Sequence, residues 1–119
     1  MTITHIVAPV ATPSTAFAAA PTPLAVAAHP VPHISAVEAF KSPTGDVSTG
    51  TWEATPGVFR RAVMDAEFSS FLAGHATFET DDGQRFEFRA GDSAYFPPFS
   101  RGVWTVHETL RKTYCVWKK

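Results

Sequence analysis

Glu67 is the residue of this sequence most suited to moving a proton. If Glu67-Phe68-Ser69-Ser70-Phe71 is a strand, Glu67, Ser69 and Phe71 share one face, and Ala94 and Phe96 share a face of a neighbouring segment. A carboxylate held against Phe71, Phe96 and Trp104 is desolvated, which raises its pKa and suits a general acid or base near neutral pH. The structural alternative is that Glu67 pairs with Arg60, Arg61 or Lys112 and ties strands together. Arg61 serves either reading, because a guanidinium grips a carboxylate bidentately. Tyr114, of the same parity as Lys112, is a second candidate for proton transfer, and Tyr95 for a hydrogen bond to substrate. Trp52 and Trp104 are core residues or stacking platforms for a ligand. Arg111 and Lys112 are adjacent, so at most one of them enters a cavity.

Other reactive residue types offer less. Cys115 is the single cysteine, so no intramolecular disulfide and no Cys-x-x-Cys site exists; it reads as a small buried apolar residue in a reducing, cytoplasmic setting. His5, His29 and His33 lie in a Pro-rich stretch without the spacing of a preformed metal site. His75 and His107 fall on strand faces that look wet. The net charge of -1 gives no basic field for phosphates, so nucleic acid is not expected as a partner.

These residues must be positioned by strands. From Val47 onward, short runs rich in Val, Phe, Tyr, Trp and Thr alternate with Gly, Asp and Pro breaks. They predict strands at 49–54, 58–63, 67–73, 75–80, 85–89, 93–96, 102–107 and 110–117, in an antiparallel sandwich or barrel. His75, Thr77 and Glu79 oppose Ala76 and Phe78, while Arg85, Glu87 and Arg89 oppose Phe86 and Phe88. This predicts a hairpin through Asp81-Asp82-Gly83-Gln84 with one wet and one buried face. Segments 68–72 and 110–117 are expected to be buried on both sides.

The 119 residues, 45% hydrophobic, fit one domain with one core. Residues 1–46 read as an arm and 47–119 as the barrel. Six of the ten prolines lie in the first 32 residues, a composition that favours extended backbone over helix. The arm is either a tail or a strap across the barrel or a partner subunit, with Ile6, Val7, Val10, Phe17, Leu24 and Val26 to bury. A short helical turn is expected around Ser35–Phe40, with Ser35 as N-cap and Glu38 closing a capping box. No run is long and apolar enough to span a bilayer. Pro21 and Pro23 break the Ala-rich segment 15–28, and no basic residue precedes Lys41, so it does not read as a secretory signal.

The sequence also resembles a family. The run Gly50 to Arg60, Glu67 through Gly74, Asp82-Gly83, Gly91-Asp92, Pro97, Gly102-Val103-Trp104 and Arg111 to Tyr114 are similar to small single-domain cupins of the ureidoglycine aminohydrolase and ethanolamine-utilisation type. The resemblance implies an all-β, cupin-type antiparallel barrel, jelly-roll-like and built as a double-stranded β-helix, with a small-molecule site in its mouth. It also implies a homodimer. The family's metal ligands are histidines and a glutamate; Glu67 stands at the glutamate position. Depending on spacing, the first two histidine positions hold Arg61 and Val63 or Arg60 and Ala62. Gly102 stands where the last histidine is expected, and Phe99 where a glycine is usual.

Three functional expectations follow. The first is a metal-independent hydrolase, lyase or isomerase acting on a small polar, nitrogenous or carboxylated metabolite. Glu67 and Tyr114 would be its catalytic residues, and Arg61, Trp104, Lys112, Trp52, Ser69, Phe71 and Phe96 would bind substrate. The second is a binding or accessory cupin without turnover. The third is a cupin holding a transition metal through other ligands; the expectation for cofactors is otherwise none.

Overall fold

The computed structural model describes residues 2–20 and 29–118. Eight strands follow in chain order: β1 (Ala18–Ala19), β2 (Ile34–Lys41), β3 (Val47–Ala54), β4 (Gly57–Val63), β5 (Ala66–Thr80), β6 (Arg85–Arg89), β7 (Ser93–Phe96) and β8 (Ser100–Trp117). All pairings are antiparallel. Two strands are long enough to serve two layers. The first half of β5 pairs with the second half of β8 and with β7; its second half pairs with the first half of β8 and with β6. One layer is therefore β1-β2-β3-β8-β5-β7 and the other β4-β8-β5-β6. This is the cupin fold. The barrel is not closed, since β6 and β7 end their layers without pairing to one another.

The corner between the layers lies at Gly74, where the β5–β8 register shifts. Its φ of +94° is a conformation that residues with a Cβ rarely adopt, and a Cβ there would lie 2.2 Å from the Thr109 carbonyl oxygen. Between the layers Phe71 stacks on Phe88 at 4.5 Å, Phe96 meets Phe78 edge-on at 5.7 Å, and Trp104 sits 4.9 Å from Phe78. The inward-facing alternation seen in the sequence thus becomes one aromatic core.

Several expectations need correction. Ser35–Phe40 is not a helical turn but part of β2, whose partner β3 supplies the backbone hydrogen bonds that an isolated capped turn would lack. The sheet consequently begins before residue 47. Gly74 and the segment after His107 do not end strands; they bend β5 and β8. Thr77 is buried instead of wet, because β6 and β8 flank it and the His75 and His107 rings lie 4.7 Å apart beside it, with His107 bonded to the Thr77 hydroxyl at 3.1 Å. Phe68, expected in the core, is half exposed on the outer face beside Tyr95. The arm residues Pro21, Pro23, Leu24 and Val26 lie outside the described residues.

Candidate functional site

Glu67 points between the layers and brings Ser69 and Phe71 with it, as alternation requires. Only 3% of Glu67 is exposed. Its Oε2 accepts hydrogen bonds from Lys112 Nζ at 2.7 Å and from the Ser69 hydroxyl at 2.8 Å, and its Oε1 lies 3.9 Å from Arg61 Nη2. Lys112 enters from β8, four residues from the position directly opposite Glu67, so its stem runs along the inner face to reach the carboxylate. The ammonium is caged by aromatic rings: 4.7 Å from the Trp52 centroid, 5.7 Å from Phe96 and 5.9 Å from Trp104. Ring faces carry negative potential and favour a cation there.

The electrostatics differ from the sequence expectation. Burial pushes the Glu67 carboxyl up, but the Lys112 charge and hydrogen bond, with Ser69 and Arg61, outweigh it and hold the group below its ordinary value. Burial pulls the Lys112 ammonium down against the attraction of Glu67, and Arg61 adds to the fall. Burial raises the Tyr114 phenol, with a hydrogen bond involving Ser48 opposing it, so Tyr114 stays protonated at neutral pH. Sequence reasoning saw the aromatic surroundings of Glu67 but could not see which cation reached it first.

The structure brings Arg61, Trp52, Ser69, Phe71, Phe96, Trp104 and Lys112 around Glu67 or one another. It also holds a second buried ion pair, which sequence reasoning missed. Glu53 and Arg111 are back to back with Trp52 and Lys112: Trp52 faces Lys112 and Glu53 faces Arg111 in the β3–β8 register. Trp52 and Lys112 go inward and Glu53 and Arg111 outward. Arg111 Nε donates to Glu53 Oε2 at 2.9 Å, and the same guanidinium donates to the carbonyls of Pro9, Val10 and Thr12 and to Ser14 Oγ. The Phe17 ring lies 4.7 Å from the guanidinium carbon. The arm is therefore a strap on the outer face of the larger layer. The signal available beforehand was adjacency in both strands, without the register that makes them meet.

The residues present do not fit the metal that the fold family implies. Such a site needs several imidazole or carboxylate donors converging on one point. Glu67 supplies one carboxylate, already bonded to an ammonium and flanked by a guanidinium, and no three His, Cys, Asp or Glu among the described residues could hold a metal ion. At Gly102, a Cβ would lie 2.3 Å from the Glu79 carbonyl oxygen and 2.8 Å from the Phe78 ring. The Phe78 ring and the β5 backbone occupy the space that a histidine at 102 would need. Gly102→Ala is therefore expected to destabilise the fold by about 1–3 kcal/mol through overpacking, and Gly102→His by more. Thermal denaturation, with and without zinc, checks this; stabilisation of Gly102→His by zinc would refute it.

A separate cleft of about 650 Å³ opens between the unpaired edges of β6 and β7, lined by Phe78, Phe86, Phe88, Phe96 and Phe99 with the Asp81–Gln84 turn at one end. Phe96 is its partition with the ion pair, lining the cleft and also standing beside Lys112. Glu67 does not line it.

Residues 41–114 match the family of EutQ-like cupin domains. The chain belongs to this family. Among solved structures, this cupin is similar to the EutQ protein of Clostridium difficile, with a TM-score of 0.65 and 16% identity over 76% of this chain and 71% of that one. A protein of unknown function from Pseudomonas syringae gives 0.73 and 19% over 84% of this chain and 43% of that one. A Thermotoga maritima protein is 31% identical over 54% of this chain and 73% of that one, at 0.53. No protein of curated function matches this cupin. Among the described residues no helix is long and apolar enough to cross a membrane.

Proposed function

We propose that this cupin binds a small molecule in the aromatic cleft, without a metal and without turnover at Glu67. One observation carries the reading: the charged centre and the open cavity are separate. An acid or base must reach its substrate within hydrogen-bonding distance. The Glu67 carboxylate is buried, bonded to Lys112 and Ser69, and walled off from the cleft by Phe96. Lys112 and Arg61 bring positive charge to Glu67, where the family's metal would sit, and the resulting cluster holds β4, β5 and β8 together. A hydrolase, lyase or isomerase using Glu67 would need that carboxylate open to substrate. The cleft volume falls within the range of roughly 300–1,000 Å³ typical of ligand sites. The lone Cys115 accords with a reducing, cytoplasmic setting.

Two-dimensional NMR with 2-phenylethanol as probe tests this. Resonances of Phe86, Phe88 and Phe99, which line the cleft, should shift, and the Glu67→Leu/Lys112→Met double variant should bind the probe as the parent does. Loss of binding in the double variant, or shifts centred on Glu67 and Lys112, would contradict the proposal.

A further inference from the structure

We infer that the β6–β7 cleft selects a ring-bearing organic cation, such as an aralkyl ammonium, with its ring among the phenylalanines and its charge at Asp82. The inference rests on the binding reading above and adds the chemical class of the ligand.

The floor comes first. Phe86 and Phe88 project toward the interior from β6, their rings nearly parallel at 10° with centroids 6.4 Å apart. Phe88 is buried, whereas Phe86 is 46% exposed although it shares the inward parity, because the cleft lies open beside it. Phe78 and Phe96 complete an apolar slot between two strand edges. Such a slot takes a flat ring, and ring faces also attract a nearby cation.

Charge decides the other end. Two carboxylates line the cleft, and their surroundings differ. Asp81 is bonded to Arg60 at 2.7 Å. Asp82 has no cationic partner within 4 Å among the described residues. Its Oδ1 accepts a hydrogen bond from the Thr80 hydroxyl, and Thr80 shares the inward parity of Phe78, which draws the Asp82 carboxylate to the inner side of the hairpin. The two cations nearby start from outward-facing strand positions. Arg101 lines the cleft, but its parity is opposite to that of Trp104, and Arg85 opposes Phe86 and Phe88. One carboxylate without a counter-ion beside an aromatic slot complements a ligand with one positive charge and one ring.

The rim adds an independent observation. Phe99 has φ of 65°, in the left-handed region, and is 66% exposed at the cleft mouth. For a side chain with a Cβ this conformation is strained, and the exposed ring gains little burial in return. A glycine would relieve the strain. A phenylalanine at this position is accounted for if its ring closes on the bound ligand.

Isothermal titration of the full chain with three probes of one shape tests the inference: 2-phenylethylammonium, 2-phenylethanol and 3-phenylpropionate. The ammonium is expected to bind about tenfold more tightly than the alcohol, and the carboxylate most weakly. Asp82→Asn, in an exposed turn, should bring the ammonium down to the affinity of the alcohol and leave the alcohol unchanged. Phe99→Gly should weaken all three while raising the midpoint of thermal unfolding. Equal or tighter binding of the anion, or an ammonium preference that survives Asp82→Asn, overturns the assignment of charge while leaving the binding reading intact. Failure of all three probes to bind overturns the binding reading itself.

Discussion

Glu67→Gln is expected to lower stability by about 3–5 kcal/mol, because it leaves the Lys112 ammonium buried without a counter-charge. For a chain of this length that is a fall of roughly 10–20 °C in the midpoint of thermal unfolding. The cost belongs to the orphaned charge and not to the net worth of the pair. Converting both residues in Glu67→Leu/Lys112→Met should therefore recover most of the loss, since apolar side chains of similar volume replace buried pairs with little penalty. The pair also gives the parent an acid limit. The folded Glu67 carboxyl titrates below its ordinary value of 4.5, so the unfolded chain binds more protons between the two values. Its stabilising contribution is complete above that ordinary value and is lost as the pH falls through the folded value. Chemical denaturation between pH 3 and pH 7 should show this decline in the parent and a shallower one in Glu67→Gln. Equal stability of Glu67→Gln and parent at pH 7 would mean that the ion pair does not hold the barrel centre.

Arg111→Ala should cost a similar amount, about 3–5 kcal/mol, because Glu53 is then buried without its cation. The consequences reach further along the chain. The guanidinium is the common donor to three arm carbonyls and to Ser14, and no other side chain described here serves all of them. Its removal should release the strap, seen as faster hydrogen exchange at Ala11 and Ala16, whose amides close the two short turns of the arm. Arg111→Lys should not rescue it, since one ammonium cannot reproduce a planar fork bonded on several sides. Unchanged protection of Ala11 and Ala16 in Arg111→Ala would show that the arm is held by other contacts.

Much of the fold was legible because its signals are local. Alternation in Arg85-Phe86-Glu87-Phe88-Arg89 and the Asp81–Gln84 turn identify a hairpin without knowledge of anything else, and the observed register of His75 with Arg89 and Glu79 with Arg85 follows. The misreading of Ser35–Phe40 has the opposite origin. Its capping pattern is local, while the partner that makes it a strand arrives from residues 48–54. The candidate site was legible in membership and not in geometry. Parity placed Glu67, Ser69 and Phe71 on one face and allowed only one of Arg111 and Lys112 inside, but the choice of Lys112 over Arg60 depends on how far a side chain travels along β8. Arg60 turned outward to Asp81 instead. The cleft between β6 and β7 left no trace in the sequence, because an unpaired edge is a property of the assembled sheet.

The back-to-back arrangement on β3 and β8 constrains how these strands can align. Trp52 and Glu53 on one strand meet Lys112 and Arg111 on the other, with an aromatic ring and an ammonium inside and a carboxylate and a guanidinium outside. A slip of one residue in either strand reverses its faces. Slipping β8 would drive Arg111 into the aromatic cage, carry Lys112 away from Glu67 and leave the strap without its anchor. Slipping β3 would bury Glu53 among rings and turn Trp52 outward. Each error strands a charge in an apolar layer, so the two ion pairs act as a key that admits one alignment of the central strands.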